Sequence, residues 1–285
     1  MDDVRRVGVV GCGLMGVGLA ELCAGRQLDV VVVGRQELSI EGARARLAKS
    51  LYRSVAKGRL TEAQRVEALS RVRLTTDFGA LADRQFVIEC VREDEDLKRE
   101  IFEELDKTAG DAVLATGTSS IPVMRLANAT ARPGRVIGAH FFNPVPVMPL
   151  VEVIATLCTD DETVLQTELF LTGVLGKEVV RAPDRSGFLV NALLIPYLLS
   201  AVRMVDGGAG SAADVDRAVV LGCGYPMGPL AVIDLIGLDV VAKVAAALYD
   251  EFKEPQYVPP PMLLRLVDAG RLGKKTGSGF HHYPS

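Results

Sequence analysis

Of three histidines in 285 residues, His281 and His282 fall at the far end of the chain, and His140 stands alone in its interior. His140 follows the β-branched run Val136 to Ala139, and Glu152 lies further on inside the apolar run Leu150, Val151, Val153, Ile154. A carboxylate in such a run is costly to bury without a positive or hydrogen-bonding partner. The connecting stretch FFNPVPVMP carries Pro144, Pro146 and Pro149, which restrict the backbone and can return the chain so that Glu152 meets His140. A glutamate that fixes the tautomer of a histidine and supports its protonated form makes a general base that works near neutral pH. The same spacing also suits a structural histidine and a Glu on a solvated sheet face. Two other polar intrusions favour chemistry. Ser119 and Ser120 follow the strand-like Ala112 to Ala115, at the strand end where open sheets place ligands. Asn191 interrupts FLVNALLIPYLL, where an amide can hydrogen-bond a carbonyl or hydroxyl oxygen. Taken singly, Ser119 also reads as a helix cap and Asn191 as a satisfied core amide.

A second set of residues has the spacing of a phosphate cradle. Residues 8 to 18 read GVVGCGLMGVG, so Gly11, Gly13 and Gly16, with Leu14 and Met15 between them, form GxGxxG directly after a strand and ahead of a helical pattern. Two of the glycines let the backbone turn beside a pyrophosphate, whose charge meets free N–H groups at the helix N-terminus, and the third lets helix and strand pack closely. In NAD-binding chains an acidic residue about 20 positions on holds the ribose hydroxyls. Here Val30 to Val33 run into Gly34 and Arg35. Of NAD and NADP, this mildly favours NADP, because Arg offers a planar fork of donors to a 2′-phosphate. Arg35 also reads as a solvated loop residue stacking on adenine.

These residues need a scaffold, and the hydrophobic rhythm supplies one. Short apolar runs at Arg6 to Val10, Asp29 to Val33, Phe86 to Glu89, Ala112 to Ala115, Val136 to Ala139 and Leu150 to Ile154 alternate with helical patterns. That alternation predicts an α/β fold, a Rossmann-type doubly wound and mostly parallel sheet. A charged helical stretch from Ile40 to Ser70, broken at Lys57 and Gly58, predicts a helical hairpin standing off the sheet. Beyond Asp184 only helical patterns remain, punctuated by glycine and proline. The expected division is a dinucleotide-binding domain over 1–185, with its hairpin at about 40–70, and an all-α C-terminal domain over 186–285.

Composition narrows the partners. With 32 basic and 36 acidic residues the net charge is -4, and no basic run tracks a phosphate backbone or an anionic bilayer, which argues against nucleic acid and membrane partners. The longest apolar stretch, Phe188 to Leu199, is too short to cross a bilayer and reads as a core helix. Five scattered cysteines without a CxxC pair predict reduced thiols and no metal site. The N-terminus enters a strand at once, without room for a secretory signal, so the expected location is cytoplasmic.

The string HFFNPVPVMPLVEV (140–153) resembles the signature of the 3-hydroxyacyl-CoA dehydrogenases, including the bacterial 3-hydroxybutyryl-CoA dehydrogenases. So do TSS at 118–120, SGFLVN at 186–191, PMGPL at 226–230 and GKKTGSGF at 273–280, and the likeness spans essentially the whole chain. It implies an oxidoreductase of fatty acid metabolism, a homodimer formed largely through the helical domain, and an active site in the cleft between domains. On this match His140 is the catalytic base and Glu152 its orienting partner, with Ser119 and Asn191 hydrogen-bonding around the substrate oxygen. Glu93, Lys98, Asn143 and Lys275 match cofactor-touching positions, and Ser50 and Lys57 fall in the hairpin that contacts CoA. Several residues depart from the family pattern. Besides Gly34, they are Thr116 and Gly117 for Ser and Asn, Pro149 for Lys, Ala192 for Arg, and His281 for Tyr. These changes ring the site and leave its four central residues in place. The expected reaction is hydride transfer at C3 of a short-chain 3-hydroxyacyl-CoA. Alternatives are the same chemistry on an acyl-carrier-protein thioester, such as a glyceryl unit for polyketide extension, and a non-catalytic NAD(P)-binding protein. The wider β-hydroxyacid dehydrogenases expect a catalytic Lys between Ser186 and Tyr197, and there is none.

Overall fold

The computed structural model describes residues 4–283, which separate into a unit ending at Asp184 and a second beginning at Arg185. The first unit is built on eight strands: β1 (Arg6–Val10), β2 (Asp29–Val33), β3 (Val72–Thr75), β4 (Phe86–Glu89), β5 (Val113–Thr116), β6 (Val136–Phe141), β7 (Leu150–Ile154) and β8 (Glu178–Arg181). They lie in the order β3-β2-β1-β4-β5-β6-β7-β8. Every neighbouring pair is parallel except β6 and β7. The first six positions have the doubly wound order in which ligands bind outside the carboxyl ends of the strands. Six strands coincide with the apolar runs to within two residues at their ends. The other two, β3 (VRLT) and β8 (EVVR), are the sheet edges and only partly covered, so charged residues interrupt their apolar pattern.

The helices of this unit are α1 (Leu14–Gly25), α2 (Glu37–Ala56), α3 (Glu62–Ser70), α4 (Glu95–Thr108), α5 (Val123–Ala127) and α6 (Asp161–Leu169). The predicted hairpin is α2 and α3, but it does not stand off. Ile40, Ala43, Leu47, Leu51 and Ala68 are buried in the same core as α1 and the sheet. Their spacing gives one apolar stripe on an otherwise charged helix pair, and that stripe has to be covered. Glu21 of α1 adds a polar fastening, since Ser50 Oγ donates to it at 2.5 Å and Ser54 Oγ at 3.0 Å.

The second unit is helical: α7 (Val190–Asp206), α8 (Ala212–Cys223), α9 (Pro229–Ile236), α10 (Leu238–Phe252) and α11 (Pro261–Asp268), around a core of Ile195, Leu198, Leu230, Val241, Leu248 and Leu263. Two buried aspartates explain its glycine- and proline-rich strings. Asp216 accepts from the N–H groups of Leu230 and Ala231 at the start of α9 and from His281 Nε2 at 2.8 Å. Asp234, 1% exposed, accepts from Phe280 N, His281 N and the Tyr283 hydroxyl, which ties the C-terminal segment down. A side chain at Gly228 would run into Asp216, and one at Gly279 into Asp234. Among the described residues no helix is long and apolar enough to cross a membrane, and no cluster of three or more His, Cys, Asp or Glu is placed to hold a metal.

Candidate active site

Antiparallel pairing of β6 and β7 sets His140 directly opposite Glu152. Directly opposed residues have Cβ atoms about 4.5–5.5 Å apart on the same sheet face, and here Nδ1 lies 2.7 Å from Glu152 Oε2. Glu152 is 1% exposed and His140 4%, so neither is on a solvated face. An ionised carboxylate only accepts, so Nδ1 carries the proton and the Nε2 lone pair points to Ser119 Oγ, 3.1 Å away. Phe142 meets the imidazole edge-on, with ring centroids 4.7 Å apart. The result is a Ser119, His140, Glu152 relay at the carboxyl ends of β5 and β6.

The loop that presents Ser119 is held by a carboxylate. One Glu93 oxygen accepts from Thr118 Oγ1 at 2.6 Å and from Ser119 N, Ser120 N and Ser120 Oγ at 2.9 Å. Ser119 therefore does not cap a helix: α5 starts after Pro122 without a side-chain cap, and Ser119 Oγ is turned to His140. Burial pushes the Glu93 carboxyl up, but the Lys98 ammonium and these donors outweigh it and hold it below the usual carboxylate range. Lys98 itself is 1% exposed, with Nζ 2.7 Å from Glu89 and 3.5 Å from Glu93. Glu89 also accepts from Thr116 Oγ1 and Val91 N. Of the residues matched to cofactor contact, Lys98 thus forms a buried pair with Glu89 behind the β4 end, and the partly exposed Glu93 joins it at the surface.

The glycine motif forms the floor of a cavity of about 760 Å³ in the first unit. Gly11, with φ +126, takes a conformation open to glycine, and a Cβ there would come within 2.8 Å of the Cys90 carbonyl. A side chain at Gly16 would strike the Gly11 carbonyl, which is the close strand–helix approach the motif needs. Gly13 has nothing within 4 Å of its missing Cβ, so its side is open to a ligand at the N-terminus of α1. These features fit a pyrophosphate. Leu14 and Met15 form the first turn of α1, with Leu14 64% exposed. Gly34 and Arg35 line the cavity, joined by Arg46 of α2 and by Arg92, and among the described residues no carboxylate lines it. Arg46 was not singled out by the sequence, because a charged residue in a charged helix gives no signal.

The remaining predicted residues are more dispersed. Asn143 is exposed on the β6–β7 connection, which Lys177 braces from behind by donating to the Val145 and Met148 carbonyls, each at 2.7 Å. Asn191 is half-buried in the first turn of α7, so it is not a core amide. Lys275 belongs to the second unit and pairs with Asp239 at 2.6 Å. In the hairpin, Ser50 is engaged by Glu21, and Lys57 is exposed at the C-terminus of α2.

Residues 6–185 match the model of the 3-hydroxyacyl-CoA dehydrogenase NAD binding domain, and residues 187–283 match that of the C-terminal domain. A 3-hydroxybutyryl-CoA dehydrogenase of Mycobacterium tuberculosis is 56% identical over 284 residues, 99% of either chain. One of Clostridioides difficile is 40% identical, over 98% of this chain and 99% of its own. Among solved structures, M. tuberculosis FadB2 superposes with a TM-score of 0.98 at 55% identity, covering 99% of this chain and 100% of that one. The (S)-3-hydroxybutyryl-CoA dehydrogenase PaaH1 of Ralstonia eutropha gives 0.92 at 40%, with the same coverage. With both domain models matched end to end and the relay in place, the chain belongs to the 3-hydroxyacyl-CoA dehydrogenase family.

Proposed function

We propose that this protein interconverts a short-chain 3-hydroxyacyl-CoA, of the 3-hydroxybutyryl-CoA class, and its 3-oxo partner. The observation that carries the reading is the relay, with 3.1 Å from Ser119 Oγ to His140 Nε2 and 2.7 Å from Nδ1 to Glu152. The bound nicotinamide supplies the hydride acceptor or donor. In the oxidative direction Nε2 takes the proton from the 3-hydroxyl, Nδ1–H stays on Glu152, and the buried carboxylate balances the imidazolium that forms. Ser119, as both donor and acceptor, orients the substrate oxygen toward Nε2. The names of relatives at 56% and 40% identity support CoA as the thioester handle. His140→Ala should lower kcat with acetoacetyl-CoA roughly 10²-fold or more, while fluorescence titration shows cofactor binding intact. Turnover unchanged in that variant would remove His140 from the reaction.

For the cofactor we favour NADP(H) over NAD(H). Gly34 and Arg35 support this, because no carboxylate stands among the described residues lining the cavity at the end of β2 and a guanidinium follows that strand. The reading fails if NADH binds as tightly as NADPH. We also infer a homodimer in a reducing, cytoplasmic setting, supported by five free cysteines and by exposed apolar side chains on the second unit, including Leu193 at 77% and Leu221 at 71%. Light scattering at micromolar concentration should give twice the 30.5 kDa chain mass, and a single-chain mass would refute the dimer.

A further inference from the structure

We infer that Arg46 is a specificity-determining residue for the cofactor, forming with Arg35 a two-sided cationic seat for the 2′-phosphate of NADP(H). This rests on the NADP(H) reading above and names a residue outside the glycine motif and the β2 end. Arg46 lies on α2 and Arg35 on the loop before it, yet both line the one cavity. Its guanidinium is aimed, because Nη2 donates to the Cys12 carbonyl at 2.6 Å, within the GxGxxG turn itself. Gly42, one turn earlier on the same helix face, leaves the room: a Cβ there would lie 3.2 Å from Arg46 Nη1. One hydrogen bond holds the fork in place, and a guanidinium retains further donors for an anion.

Packing also works against the opposite sign. A Cβ on Gly34 would come within 2.6 Å of Cys12 Sγ and 2.9 Å of Ile40 Cδ1, so an aspartate there would require both side chains to shift. Cys12 thus touches both halves of the device: its thiol crowds the Gly34 position, and its carbonyl orients Arg46. Burial pushes that thiol up, with Arg46 opposing, so it stays neutral beside the cavity. Arg35 and Arg46 bring two guanidinium groups to one cavity, and no carboxylate stands among its described lining residues to oppose them.

The test is titration of the full-length protein with NADPH and NADH, followed by nicotinamide fluorescence. Arg46→Gln removes the charge and keeps a polar side chain with an amide donor. It should weaken NADPH about tenfold or more, as expected for a lost charged hydrogen bond, while NADH changes less than about threefold. Arg46→Lys should restore part of the NADPH affinity. Equal weakening of both cofactors would place Arg46 on the shared pyrophosphate and overturn the assignment. So would an unmoved NADPH:NADH ratio in Arg46→Gln when Arg35→Gln collapses it, an outcome that leaves the NADP(H) reading standing. A wild-type protein that binds NADH as tightly as NADPH would overturn both.

Discussion

Glu93 shows what one carboxylate does for the site without entering the reaction. It gathers four hydrogen bonds from Thr118, Ser119 and Ser120 on a single oxygen, and the geometry of Ser119 toward His140 depends on them. Because its folded-state pKa is held down, its stabilising contribution is fully present above the ordinary carboxylate value and is lost as pH falls through the folded value. Glu93→Gln should therefore lower Tm most near neutral pH. The gap to wild type should narrow on acidification below about pH 4.3, the ordinary Glu value. A Tm difference independent of pH from 7 down to 3 would show that shape, not charge, holds this loop. In sequence Glu93 is one of several acids in REDED, and nothing local marks it as the one that organises the serines.

At the scale of elements, the β6–β7 connection is the piece on which the relay depends. It begins beside His140 and ends beside Glu152, and register, not proximity in sequence, brings the two together. Lys177, just ahead of β8, is buried and donates to the Val145 and Met148 carbonyls from below that connection. Lys177→Met leaves those carbonyls unanswered at about 1–3 kcal/mol, a fall in Tm of roughly 2–12 °C for a domain of this size. Loss of fit between His140 and Glu152 should lower kcat in the same variant. Thermal melts and steady-state rates on one preparation check this. Full stability in the variant would mean that the prolines alone shape the turn. The hairpin teaches a related lesson: its charge suggests an element exposed on all sides, while one apolar stripe and Glu21 fix it to α1.

For the whole molecule, each unit closes on its own buried polar anchors. In the second unit Asp234 collects Phe280 N, His281 N and the Tyr283 hydroxyl, whose ionisation is pushed up to about 12 by burial and by that aspartate. Asp234→Ala should cost about 3 kcal/mol or more and be felt in the second unit alone. Hydrogen exchange should show protection lost over 273–283 and α8 to α10, with β1 to β8 unchanged. Loss of protection throughout would mean that the two units unfold as one. The sequence by itself determined the features that arise within a few residues: six apolar strand runs, the glycine turn, the helical character past residue 185, and His140 and Glu152 as the pair to watch. Tertiary structure alone decided which charges meet. The edge strands β3 and β8, the β6–β7 register, the hold of Glu93 on Ser119, and the reach of Arg46 to Cys12 join residues far apart in the chain. Local periodicity records which face of an element is covered, and it carries no record of what covers it.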